Sequence, residues 1–122
     1  MIMSQTDKAR IQSRGLFLTR RGYRVNTDQY DVTYKNGEME ICVFYERYDN
    51  HQDILLKFPD RKAYYLHWMV LVLEEPNTTN LAPIDLLLLY MDYLERNYDN
   101  LMKQEYCEQN MEKVWAKLRT RN

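Results

Sequence analysis

The feature that most constrains this chain is an alternation of apolar and polar residues that starts at Tyr30, broken on its polar side by Phe44. Tyr30, Val32 and Tyr34 alternate with Asp31, Thr33 and Lys35. After Asn36-Gly37, Met39, Ile41, Val43 and Tyr45 alternate with Glu38, Glu40, Cys42 and Glu46. A period of two belongs to strands with one buried face, because successive side chains of a strand point to opposite sides. The chain is therefore predicted to build a sheet with a core side and an acid-rich side facing water or a partner.

Asn36-Gly37 predicts a two-residue type I′ turn, in which both central residues need positive φ. That turn would set Lys35 against Glu38, Tyr34 against Met39, Val32 against Ile41 and Tyr30 against Val43. The next turn lies in Tyr48-Asp49-Asn50-His51-Gln52. A loop of two or four residues there keeps Ile54, Leu56 and Phe58 on the face of Val43 and Tyr45. Pro59-Asp60-Arg61-Lys62 is a polar turn, and a fourth strand is predicted from Ala63 to about Leu73. It is apolar on both sides beyond Trp68, as a covered or central strand would be.

Helices flank this meander. Ser4 to about Arg20 reads as one, with Ser4 as N-cap, Asp7 three residues later, a thin stripe of Ala9, Leu16 and Phe17 with Ile11 off to one side, and Gly22 as the stop. Tyr23 to Asn26 begins an extended segment. After the loop Pro76–Asn80, a helix is predicted from Pro83 to Arg96, with Ile84, Leu87, Leu88, Met91 and Leu94 inward. Asn97 to Asn100 read as a break. A last helix runs to about Lys117, with Leu101, Cys107, Met111, Val114, Trp115 and Leu118 in its stripe. The expected fold is α+β: an N-terminal helix, a four-stranded antiparallel β-meander and two C-terminal helices packed on the sheet, in one domain over 1–122.

A chain of 122 residues, 45% hydrophobic and with three Gly and three Pro, has the makings of one folded core. Net charge is −1, yet bases cluster at both ends (Lys8, Arg10, Arg14, Arg20, Arg21, Arg24; then Lys113, Lys117, Arg119, Arg121). Acids dominate Val25–Asp53 and Glu74–Glu112. Such unevenness bears on association more than on fold. Sparse cysteines suit a reducing compartment. The first residues lack the apolar core of a signal peptide, so the cytosol is expected, and no stretch is predicted to span a membrane.

Chemistry is sparse. Neither His51, read as a solvated turn residue, nor His67, read as a half-buried strand residue, is assigned a partner at metal-ligand spacing. No metal and no cofactor is expected. Ser4 and Ser13 are the only serines, Gly15, Gly22 and Gly37 form no phosphate loop, and Cys42 lacks an activating base. Glu40 and Glu46 share a strand face but have nothing evident to separate their pKa values. No enzyme is expected. Arg10, Arg14 and Arg21 form a helical stripe that could meet phosphate, although docking on neighbouring acids is the plainer account. The remaining candidate is the outward face of the meander, Asp31, Thr33, Glu40, Phe44, Glu46, Asp53 and Leu55, where apolar anchors stand among charges as at protein-binding sites.

Three stretches, Tyr30–Ile41, Phe44–Tyr48 and Asp53–Phe58, together with Tyr64–Val72 and Tyr93–Leu101 through Tyr106-Cys107, give the chain a likeness over roughly Tyr23 to Lys117. It resembles a group of small bacterial immunity proteins encoded beside polymorphic toxins. The resemblance implies a cognate protein toxin as partner, neutralised by stoichiometric occlusion, and it transfers no site residues. A regulatory or scaffold module that binds another protein is the alternative, with a nucleic-acid-binding factor behind it.

Overall fold

The computed structural model describes residues 1–121; Asn122, the last position of the expected 1–122 domain, lies outside the described residues. The α+β class holds. Helices α1 (Gln5–Arg14) and α2 (Leu16–Thr19) precede strands β1 (Arg24–Thr27), β2 (Asp31–Asn36), β3 (Met39–Tyr45), β4 (Gln52–Lys57) and β5 (Ala63–Tyr65). There follow α3 (Leu66–Trp68), a π-helix (Met69–Glu74), α4 (Pro83–Arg96), α5 (Tyr98–Leu101) and α6 (Gln104–Thr120).

The sheet is an antiparallel meander of five strands in sequence order, where four were expected. The additional strand is β1, which pairs along β2 from Arg24 opposite Lys35 to Thr27 opposite Val32. All its residues are exposed. It falls on the extended segment expected from Tyr23 to Asn26, but an edge strand that buries neither face has no hydrophobic alternation to mark it as part of the sheet.

The first hairpin departs from its predicted register. Asn36 stays in the ladder opposite Met39, and Tyr34 faces Ile41, Val32 faces Val43. The loop residues are Gly37 and Glu38, with Gly37 at φ 58°, so glycine takes the first loop position as in a type II′ turn. The Asn36 side-chain amide donates to the Arg21 carbonyl at 3.2 Å, which employs this residue in tying the turn to the N-terminal segment. The slip is by two residues, so every side chain keeps its predicted face. The β3–β4 loop runs from Glu46 to His51, longer than the two or four residues expected but still even in number, so Val43 faces Ile54 while Ile41 faces Leu56.

A larger correction concerns the predicted fourth strand to Leu73. Only Ala63–Tyr65 is extended; the chain then coils into α3 and the π-helix. Leu66, Met69 and Val70 are buried, a spacing of three and four that belongs to a helix. A short run apolar on all sides cannot be assigned to strand or helix by periodicity alone. Glu75 ends the π-helix in the left-handed region at φ 48°, and Lys117 Nζ on α6 donates to the Val72 carbonyl at 3.0 Å.

Ser4 caps α1 by accepting from Asp7 N at 3.0 Å. The expected single N-terminal helix is divided at Gly15. A Cβ there would lie 2.2 Å from the Tyr34 hydroxyl oxygen, so the absent side chain lets Tyr34 fill the space beneath the helix. At Gly22 (φ 91°) the chain stops as expected: Tyr23 N reaches the Leu18 carbonyl and Gly22 N the Thr19 carbonyl, the bond pair of a Schellman motif. The buried stripe is Ile11, Phe17 and Leu18, whereas Ala9 and Leu16 are exposed. Arg10 pairs with Asp85 and Arg14 with Asp92 on α4, while Arg21 of the same stripe donates to the Phe17 carbonyl and lies over the Tyr98 ring.

Helix α4 begins after Ala82, whose N–H donates to the Asp85 carboxylate at 3.2 Å. It buries Ile84, Leu87, Tyr90, Met91, Tyr93 and Leu94, while Leu88 is half-buried. The break expected at Asn97–Asn100 is largely filled by the helical turn α5. In α6 Cys107 and Val114 are buried, but Trp115 is 42% exposed and tilts against Trp68 with ring centroids 5.1 Å apart. The core lies between these helices and the inner sheet face: Val32, Tyr34, Ile41, Val43, Ile54 and Leu56 are all fully buried. Among the described residues, no helix is long and apolar enough to cross a membrane.

Candidate functional site

The strand register sorts the outward face of the sheet into three cross-strand rows. At the hairpin end, Arg24, Lys35, Glu40, Lys57 and Ala63 pair in sequence. The middle row is Asn26, Thr33, Cys42, Leu55 and Tyr65. The third is Asp31, Phe44 and Asp53. Phe44 and Tyr65 meet edge-on with centroids 6.4 Å apart. Cys42, Phe44, Leu55 and Tyr65 thus form an apolar strip, flanked by a charged row on one side and by the half-buried Asp31 on the other.

This arrangement revises the predicted acid-rich face. Glu40 stands in register between Lys35 and Lys57, and Arg24 continues the row, so the hairpin end is mixed in sign. Thr33 donates its hydroxyl to Asp31 Oδ1 at 3.3 Å and lies 3.6 Å from Cys42 Sγ. Burial raises the Asp31 carboxyl above its ordinary range, the Asp28 charge adds to this, and the Thr33 hydrogen bond opposes it. Burial pushes the Cys42 thiol up to about 11; at neutral pH it is protonated and a poor nucleophile.

Of the seven predicted surface residues, Asp31, Thr33, Glu40, Phe44 and Leu55 share this half-exposed face. Glu46 lies just past the end of β3, where its N–H donates to the His51 carbonyl. The strand rise puts it about 20 Å from Glu40, too far for two carboxylates to act on one bond. Asp53 is corrected outright: its side chain is fully buried, because α3 folds over that end of β4.

The same burial creates a cluster that the sequence reading did not assemble. Asp53 Oδ1 accepts from its neighbour Ile54 N at 2.7 Å and from His67 N at 3.0 Å. Asp53 Oδ2 hydrogen-bonds His67 Nδ1 and lies 3.6 Å from His51 Nε2. The two imidazoles meet edge-on, 5.3 Å between centroids, and Trp68 packs on His67 at 4.4 Å. A signal existed: His51, the loop residue just before β4, stands two residues from Asp53. Once Leu55 pairs with Tyr65, antiparallel counting brings Asp53 opposite His67. Finding that register requires the geometry of the β4–β5 turn, where Arg61 takes φ 71° without being glycine.

No family model, curated protein or solved structure matches this chain.

Proposed function

We propose that this is a non-enzymatic cytosolic protein that binds and neutralises a cognate bacterial toxin domain by stoichiometric occlusion, using the outward sheet face. One observation carries this reading: the strip of Cys42, Phe44, Leu55 and Tyr65 stays half-buried or exposed, while alternate residues of the same strands are fully buried. Tyr65 alone is 42% exposed. An apolar centre with a polar rim is the anatomy of a protein-binding patch, and rigid strands hold its anchors without an ordering cost on binding. The mixed row of Arg24, Lys35, Glu40 and Lys57 fits a partner with charges of both signs, so charge alone selects no basic toxin.

Co-expression with the toxin domain encoded beside it is the test. Rescue of growth together with one-to-one co-purification is expected. Failure of both ends the reading.

A further inference from the structure

We propose that His51, Asp53 and His67 form a binding site for a divalent transition-metal ion of the zinc class. One donor atom of each residue lies within 4.8 Å of a donor atom of the other two. Tetrahedral coordination with bonds of 2.0–2.1 Å sets ligand atoms about 3.3 Å apart, and the His51–Asp53 separation of 3.6 Å is close to that value. His67 and Asp53 touch through a hydrogen bond, so a cation replacing the shared proton would require the His67 ring to swing back until the two atoms reach the coordination spacing. Two imidazole nitrogens and one carboxylate oxygen suit zinc, cobalt or nickel better than calcium or magnesium, which prefer all-oxygen sites.

Three features make the cluster more than a chance meeting of side chains. Both backbone donors to Asp53 converge on Oδ1, which fixes the carboxylate plane and leaves Oδ2 directed at the imidazoles; ordering of a ligand by such secondary bonds is usual in metal sites. The carboxylate is fully buried, a position that favours a compensating cation. Exposure is graded, from 0% for the Asp53 side chain through 18% for His67 to 42% for His51, so an ion has a route in from the His51 side.

The test uses untagged full-length protein stripped with a chelator and titrated with Zn²⁺ by calorimetry, and with Co²⁺ followed by visible absorption. His51 and His67 are the only histidines, so no other imidazole confuses the result. The expected outcome is one equivalent bound, a tetrahedral cobalt spectrum, a change in the fluorescence of Trp68, and no comparable uptake of Mg²⁺ or Ca²⁺. His51→Ala and Asp53→Asn should each weaken Zn²⁺ binding by more than about tenfold. Asp53→Asn also disturbs a buried hydrogen-bond network, so His51→Ala, checked for an unchanged far-ultraviolet circular dichroism spectrum, is the deciding variant. Absence of stoichiometric uptake, equal uptake of Ca²⁺, or unchanged Zn²⁺ affinity in folded His51→Ala would overturn the proposal and leave Asp53–His67 as a structural hydrogen bond. These measurements need no toxin and stand or fall apart from the proposed neutralising role.

Discussion

The inner and outer faces of the sheet are built from neighbouring residues of the same strands, yet they carry different kinds of information. Inside, Val32, Ile41, Val43, Ile54 and Leu56 are fully buried, and each is replaceable only at the cost of a cavity. Outside, residues one step along the chain form an apolar strip at the centre and charges at the rim, with Asp53 withdrawn beneath α3. Inner positions therefore answer to packing density and outer positions to whatever docks or binds there. The contrast implies that the two faces can be damaged independently.

The largest separation is expected from Ile41→Ala, which should lower unfolding free energy by roughly 2–5 kcal/mol in urea titrations through a core cavity, leaving the affinity of the folded fraction for a partner unchanged. Its counterpart outside is Phe44→Ala combined with Glu40→Lys. This pair should shift the melting temperature far less while weakening partner binding by about 2 kcal/mol or more. Unaltered affinity in calorimetry would move the contact surface elsewhere.

The junction of α1 with the inner face allows a finer test. Gly15→Ala sets a methyl group against Tyr34 and should cost roughly 1–3 kcal/mol by overpacking. The Tyr34 hydroxyl is buried without a hydrogen-bond partner among the described residues, so Tyr34→Phe should be close to neutral or stabilising alone. It should also relieve part of the Gly15→Ala penalty in a double-mutant cycle; strict additivity would mean that the clash is absorbed by movement of the helix. The smallest effect is expected for Ser4→Ala, which removes the cap of α1 for about 1 kcal/mol.

Much of this was legible in the amino acids. The alternation from Val32 to Tyr45 identified the buried face, and that assignment survived a two-residue slip in the hairpin because only odd slips exchange faces. The cap at Ser4, the stop at Gly22 and the span Pro83–Arg96 follow from local rules, so they too could be read directly. Segment 66–74 could not. Its side chains are apolar in every direction, and the choice of helix came from burying Leu66, Met69 and Val70 together.

What the sequence by itself determined is the class of fold and which side of each strand faces the core, because both rest on periodicities that neighbouring residues enforce. Tertiary structure decided where charges meet and which polar residues converge. Lys35, Glu40 and Lys57 share a row only after three strands align, and Asp53 joins His51 and His67 only after the chain turns back and coils. Such meetings depend on register and turn geometry summed over distant segments, which no local pattern encodes.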